Sequence, residues 1–474
     1  MRRAKIICTL GPASASEEKI SGLLSEGMDI ARLNFSHGTH AKHQELIRRV
    51  RKLSLEAGRP VGILQDLEGP RIRIGSVKGG RVRIRPTNRF TLTTRDVQGD
   101  ETGVSMSYPG LPGLVHPGDP ILLNDGTVEL QVQEVTGSDV ICGVITGGEI
   151  RSHKGVNLPT RSIDLSAFTE KDRRDLEFGI KAGVDFVGLS FVKSARDVRT
   201  LKSVLAGHGS EIPVVAKIER HEALDNLDEI IPVTDGIMVA RGDLGIEIAV
   251  EKVPSAQKEI IRMANRHGKP VITATQMLRS MVQSPHPTRA EVNDVANAVI
   301  DGTDAVMLSE ETAVGQYPVE AVRIMSRVVV TTEKDIPAPF IRGDQRAEER
   351  LGEPDLADAA CASAAAACRR IRAKGIIVFT QSGNTARLIS KYRPPGPILT
   401  FATTETVRRR LSLLWGVVPM PLDLLGETDQ MIAQMDGFLR EKGWGRSGDR
   451  FVILFGYPFR KKGPTNTMMI HRLE

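Results

Sequence analysis

The chain has 474 residues, 40% hydrophobic, 26% charged and 4% aromatic, with a formal net charge of +6. That balance excludes a disordered or fibrous chain, and no window approaches the roughly 18 uninterrupted apolar residues a membrane span needs. Six surplus positive charges over this length, with few rings to stack bases, argue against nucleic acid and suit small anionic ligands.

Length alone suggests about three domains. The first apolar run, "KIICTL" (5–10), stops at Gly11-Pro12, too early for the core of a secretory leader. The four cysteines, Cys8, Cys142, Cys361 and Cys368, form no CxxC pair, so the expected location is cytoplasmic. Amphipathic, helix-like stretches separate this run from "IARLNF" (30–35) and "VGILQ" (61–65). The rhythm then breaks for about 120 residues that read as alternating strands and turns: "RVRIRPTNRFTLTT", "PILLNDGTVELQVQEV" and "DVICGVITGG". It resumes with "FVGLSF" (186–191), "VVAKIE" (214–219), "GIMVAR" (236–241), "VITATQ" (271–276) and "AVMLSE" (305–310). Eight buried runs, each followed by a helix-like segment, predict a (β/α)8 TIM barrel with a β-rich domain inserted after its third strand.

A polar, Pro-bearing link, "DIPAPFIRGDQRAEERLGEPD", follows residue 334. Beyond it, an Ala-rich helix carries Cys361 and Cys368 on one face as packing residues. Five further apolar runs (375–380, 397–402, 417–422, 451–456 and 468–473) describe a C-terminal α/β unit. The expected fold is α/β: a discontinuous catalytic barrel (1–71 and 165–335), an inserted β-barrel-like lid (72–164) and a C-terminal three-layer α/β regulatory domain (336–474).

Alternate side chains of a barrel strand point inward, and active sites form at the strands' C-terminal ends. Arg32 and Asn34 share one face of strand two, and Asp66 ends strand three. Lys217 and Glu219 share a face with Ile218 opposite; Asp243 ends strand six and Thr275 ends strand seven. Burying so many polar groups unpaired would cost roughly 1–3 kcal/mol each, so one shared mouth explains them better than packing. Glu219 and Asp243 are hard oxygen donors suited to Mg²⁺. Arg32, Lys217 and Arg73 supply the positive charge that a phosphoryl group in flight requires. "ARGDLGIEI" places Gly242 and Asp243 at the start of a short helix, whose free N–H groups are expected to receive a carboxylate or phosphate. The residues read as a site for Mg²⁺ and a phosphorylated carboxylic acid.

The motifs "KIICTLGPAS", "MDIARLNFSHG", "KGVNLP", "AKIE", "MVARGDLGIEI", "ATQML", "PTRAEVNDVANAVIDGTDAVMLSEETAVGQYP" and "TQSGNTA" run in order through nearly the whole chain. Together they resemble the pyruvate kinase family. The resemblance implies Mg²⁺-dependent transfer of phosphoryl from phosphoenolpyruvate to ADP, giving pyruvate and ATP, the last step of glycolysis, with Mn²⁺ as an alternative metal. It implies Glu219 and Asp243 as metal ligands, and Lys217 neutralising the moving phosphoryl group. Arg32 would orient the phosphate. Thr275 and the backbone at Gly242–Asp243 would hold the carboxylate, with Thr275 also in the proton path to the enolate. Asn34, Phe35, Ser36, His37, Arg73 and Lys154 would meet the nucleotide, and the insert would close as a lid. A homotetramer is the family's expected assembly.

Two stretches need separate readings. "TQSGNTA" puts Thr380, Gln381, Ser382, Gly383, Asn384 and Thr385 at a strand-to-helix turn. By resemblance this is an effector loop for a phosphorylated small molecule, completed by Lys461 and Lys462. "DLEGPRIRIG" aligns with D-T-K-G-P-E-I-R of K⁺-requiring members. It keeps Asp66 and Arg73, along with Asn34 and Ser36 elsewhere, but carries Leu67 for the Thr and Arg71 for the Glu. Arg71 is expected to replace K⁺, making the enzyme K⁺-independent. The competing readings are another Mg²⁺-dependent barrel acting on pyruvate enolate, such as a lyase or aldolase, and a silent effector sensor.

Overall fold

A computed structural model describes residues 1–124, 126–159, 161, 165–335, 355–420, 428–458 and 463–474. The strands in chain order are β1 (Lys5–Thr9), β2 (Ile30–Asn34) and β3 (Gly62–Asp66), then β4 (Arg81–Ile84), β5 (Arg89–Thr93), β6 (Gly103–Ser105) and β7 (Pro120–Leu123). β8 (Val128–Thr136), β9 (Asp139–Thr146), β10 (Gly148–Arg151) and β11 (Val156–Asn157) complete the insert. β12 (Phe186–Leu189), β13 (Val214–Ile218), β14 (Gly236–Ala240), β15 (Val271–Ala274) and β16 (Ala305–Leu308) follow. The last five are β17 (Gly375–Thr380), β18 (Ile398–Ala402), β19 (Val417–Met420), β20 (Arg450–Phe455) and β21 (Thr467–Arg472).

β1–β3 and β12–β16 close a parallel barrel in the order β1-β16-β15-β14-β13-β12-β3-β2. This is the TIM barrel predicted from the eight runs. Side-chain parity explains both its core and its site. In β13, Val214, Ala216 and Ile218 pack outward among the covering helices, while Val215 joins Ile7, Ile30, Leu64, Met238, Ile272 and Met307 in the barrel's interior. Lys217 follows Val215 by two residues, so it leaves the apolar layer at the C-terminal mouth on the inward face.

The insert forms a six-stranded sheet, β11-β7-β8-β9-β5-β6, beside the β10-β4 pair. Its own core gathers Phe90, Leu92, Leu130 and Val140. The C-terminal sheet runs β19-β18-β17-β20-β21, with only β21 antiparallel. Alternation along β17 sends Ile376 and Val378 to a face covered by the helix Leu356–Arg370, and Ile377 and Phe379 to one covered by Met431, Met435 and Leu439. That makes three layers. Cys361 and Cys368 lie in the first face, where burial pushes their thiols up to about 12 and about 11. They are packing residues.

The C-terminal unit plugs the far end of the barrel. Leu413 joins the barrel's interior cluster, Arg393 pairs with Asp304 at 2.8 Å, and Lys5 Nζ donates to the Val417 carbonyl at 2.7 Å.

Several strands end a residue or two before their apolar runs do. Run 236–241 is one: β14 stops at Ala240 and the helix Arg241–Glu247 begins at once, so Asp243 sits in a helical first turn rather than at a strand end. Residues 421–422 of one predicted strand, nearly all of the 335–355 link, and Lys461 and Lys462 lie outside the described residues.

Candidate active site

The inward polar residues meet at the mouth. Arg32 donates from Nε to Asp66 Oδ2 at 2.7 Å and from an Nη to Thr9 Oγ1 at 2.9 Å. Lys217 Nζ stands 2.9 Å from Glu219 Oε1 and 3.1 Å from Asp66 Oδ1, and donates to Ser190 Oγ at 2.7 Å. The contact with Asp66 Oδ1 is close enough for an ion pair but is not aligned as a hydrogen bond. Glu219 Oε2 accepts the Phe191 N–H at 2.7 Å.

These charges hold each other's protonation. Burial pulls the Lys217 ammonium down, but Asp66 and Glu219 outweigh it and lift the group above the ordinary lysine value. Burial pushes Asp66 up, and the Lys217 and Arg32 charges bring it below the usual carboxylate range. Glu219 is raised, first by burial and then by the charge of Asp243, against the pull of Lys217. Lys217 therefore presents a full positive charge inside a cleft that screens it poorly.

Thr275 follows β15 with φ of 69°, and Gln276 with φ of 56°. A β-branched residue in the left-handed region is strained, and something must hold it there. Arg241 supplies the clamp: its guanidinium donates to the Thr275 carbonyl at 2.7 Å and to the Ala274 carbonyl at 3.2 Å, while Asp294 Oδ1 anchors it at 2.6 Å. The Thr275 hydroxyl donates to the Ala274 carbonyl at 2.6 Å and accepts the Gly242 N–H at 2.8 Å. This corrects the expectation that the Gly242 N–H stands free. Thr275 arrives across the strand boundary and takes it.

The residues assigned to the nucleotide separate. Asn34 Oδ1 accepts the Ser36 N–H at 3.1 Å, and His37 is exposed beside them. Arg73 is held by Glu68 at 2.7 Å and by the His153 carbonyl at 3.0 Å. An antiparallel bridge from Arg73 to Gly155 sets Lys154 on the same rim. Phe35 is the exception: only 4% exposed, its ring stacks on His43 with centroids 4.1 Å apart. Its side chain belongs to the packing beneath the loop, because the strand's alternation carries it outward.

Leu67 is buried in the outer apolar cluster, and its carbonyl accepts the Ser190 hydroxyl at 2.7 Å. That hydrogen bond occupies the carbonyl. Arg71 reaches to 3.9 Å from Asp243 Oδ1 and lines a cleft between insert and barrel with Asn157, Phe191, Lys193 and Arg220. Within the loop at 380–385, Ser382 and Asn384 are exposed, while Thr380 Oγ1 accepts the Gly383 N–H at 2.9 Å. Thr385 is buried and hydrogen-bonded to Thr465, so it does not face a ligand.

Glu219 and Asp243 fit a hard divalent cation. Both are carboxylates, and the charge of Asp243 opposes ionisation of Glu219, a repulsion that a cation between them would relieve. A second cluster, His221, Glu222 and Glu247, has its ligand atoms within 4.8 Å of one another, but Arg220 already pairs with both carboxylates, at 3.1 Å from Glu222 and 3.6 Å from Glu247. Sequence reading missed Thr9, Ser190 and Arg241. Thr9 and Ser190 are hydroxyls at C-terminal strand ends, the same signal that found Thr275.

Cations and carboxylates converging on the C-terminal mouth of a closed (β/α)8 barrel define an enzyme that works on anionic substrates. Residues 1–322 match the family description "Pyruvate kinase, barrel domain", and residues 358–471 match "Pyruvate kinase, alpha/beta domain". The pyruvate kinase of Clostridium acetobutylicum is 43% identical over 476 residues, covering 100% of both chains. Pyruvate kinase 2 of Synechocystis is 46% identical over 459 residues, 96% of this chain and 76% of that one. The crystal structure of a pyruvate kinase from Cryptosporidium parvum superposes with a TM-score of 0.93 at 38% identity, covering 100% of this chain and 96% of that one. The chain belongs to the pyruvate kinase family and is a phosphotransferase.

Proposed function

We propose that this enzyme transfers the phosphoryl group of phosphoenolpyruvate to ADP, giving pyruvate and ATP as the last step of glycolysis. The observation that carries the reading is the buried Lys217 ammonium, pinned by Asp66, Glu219 and Ser190 at the mouth that Arg32 also faces. As the enol P–O bond breaks and a bond to the ADP β-phosphate oxygen forms, charge spreads over the phosphoryl oxygens. Lys217 Nζ and the Arg32 guanidinium are the donors that meet it. The enolate then takes a proton at its methylene carbon. Thr275 is our candidate for that path, and its hydroxyl, which donates to the Ala274 carbonyl, must first release it. Arg73 and Lys154 on the rim, with Asn34, Ser36 and His37, take the nucleotide. A coupled assay with phosphoenolpyruvate, ADP and Mg²⁺ tests the reading; absence of both ATP and pyruvate would refute it.

Glu219 and Asp243 would hold Mg²⁺, or Mn²⁺ in its place, which when bound supplies charge neutralisation of phosphate and carboxylate oxygens. Glu219→Ala or Asp243→Ala is expected to raise the Mg²⁺ concentration for half-maximal activity at least ten-fold, read from Mg²⁺ titrations. An unchanged metal requirement removes the residue from the site.

The domain reading that goes with this function is a barrel at 1–71 and 165–335, a lid at 72–164 and a regulatory unit at 336–474. A cytoplasmic homotetramer is proposed on the family resemblance, with sedimentation as the check on assembly. Among the described residues, no helix is long and apolar enough to cross a membrane. The loop at 380–385 is proposed to bind a phosphorylated effector. Because Thr385 is turned inward, the informative substitution is Ser382→Asp alone, which adds a carboxylate on the exposed side. It is expected to remove activation by sugar phosphates or nucleoside monophosphates while basal turnover stays within two-fold; an effector response that survives makes the loop an ordinary turn.

A further inference from the structure

A small cleft, partly open to solvent, lies at the seam between the barrel's N-terminal end and the C-terminal unit, far along β15 from Thr275. Four cations line it: Lys269, Arg387, Lys391 and Arg393. Two are matched, Arg393 to Asp304 at 2.8 Å and Lys391 to Asp358 at 3.1 Å. The other two are not. Lys269 Nζ donates to the Pro232 and Thr234 carbonyls at 3.1 and 2.6 Å. Arg387 donates to the Gly268 carbonyl and to Asn384 Oδ1, both at 2.7 Å. All four partners are neutral, and among the described residues neither cation has a carboxylate within ion-pair distance. Three acids reach them by charge alone: Asp235 holds Lys202 at 2.8 Å, Asp358 holds Lys391, and Asp355 caps the helix Leu356–Arg370 by accepting the Ala357 N–H at 3.1 Å.

Half-buried like charges facing one cavity without a counter-ion are an unfavourable arrangement, and the lysine registers it. Burial, then the charge of Arg387, brings Lys269 down to about 8. We propose that this seam is a second anion site, in which Lys269 of the barrel and Arg387 of the C-terminal unit together bind a phosphoryl group. A planar, many-donor guanidinium beside a point-charge ammonium suits a tetrahedral dianion. The cleft is far too small to enclose a whole metabolite, so the group is inorganic phosphate or the phosphoryl end of a small ester. Its occupant would tie the loop ahead of β15 to the helix Asn384–Lys391, joining the two units across their seam.

Calorimetric titration with inorganic phosphate tests this on the full chain. Lys269→Gln and Arg387→Gln should each remove, or weaken at least ten-fold, one binding event that Ser382→Asp leaves intact. Crystals soaked in tungstate should show the heavy anion between Lys269 and Arg387, a readout that holds even if a variant folds poorly. Isotherms unchanged in both variants would overturn the proposal. So would tungstate found only at the barrel mouth or the 380–385 loop, or a binding event lost equally in Ser382→Asp.

Discussion

Lys217→Met is expected to lower kcat by at least about 10³-fold. Removing a single neutral donor from a charge-stabilising site costs about 10²–10³ in kcat, and Lys217 carries a full unit of charge. Arg32 does not move into its place, because Asp66 and Thr9 fix the guanidinium in a position of its own, from which it is proposed to meet the phosphate. Substrate should still bind through Arg32 and the metal that Glu219 and Asp243 are proposed to hold, so KM for phosphoenolpyruvate should change far less than kcat. A second effect must be separated from the first. The substitution would leave Asp66 Oδ1 and Glu219 Oε1 buried without their shared cation, and breaking a buried pair this way costs about 3–5 kcal/mol. Turnover is therefore measured where a parallel unfolding curve shows the variant fully folded. Folded variant with turnover within ten-fold of the parent would remove Lys217 from the chemistry.

The barrel was legible because burial on both faces gives each strand an unbroken apolar run, and β12 to β16 all lie inside the runs read from the sequence. Polar side chains two residues apart, as in Arg32 and Asn34 or Lys217 and Glu219, told which face pointed inward. What sequence could not give was who takes whose hydrogen bonds across strands. Ser190 and Lys217 meet from separate strands, and Thr275 reaches the Gly242 N–H over a gap of 33 residues. Those pairings decide that Gly242 is already satisfied and that the Leu67 carbonyl is occupied. Phe35 and Thr385 were misplaced for a related reason. Motif membership does not fix side-chain direction: Phe35 keeps the outward parity of β2 and stacks on His43, while Thr385 lies in the first turn of the helix Asn384–Lys391 and turns to Thr465.

Wild-type activity is expected to be the same in K⁺ as in a buffer whose only monovalent cation is tetramethylammonium, whereas Arg71→Glu should become K⁺-dependent. The Arg71 guanidinium stands 3.9 Å from Asp243 Oδ1, with side chains 36% and 28% exposed, so this pair by itself adds little stability. Its effect is on what else can enter. Two unit positive charges about 4 Å apart repel by about 4 kcal/mol at the effective dielectric of a partly exposed cleft, close to a 10³-fold loss of K⁺ affinity. On that expectation guanidinium and K⁺ would exclude each other, and the positive charge a K⁺ would bring would already be covalently present. Arg71→Glu reverses the sign there and sets a second carboxylate near Asp243, creating the charge deficit that a monovalent cation fills. Adding Leu67→Thr would confuse the result. Leu67 is 1% exposed in the outer apolar cluster, so a hydroxyl there would be buried at a cost of about 1–3 kcal/mol, while its carbonyl stays engaged by Ser190. The single substitution isolates the electrostatics: the variant should lose at least ten-fold in kcat without K⁺ and recover most of it when K⁺, but not tetramethylammonium, is added. Strong stimulation of the wild type by K⁺ would mean that the ion binds despite Arg71, and the guanidinium would then be a rim charge with no part in replacing it.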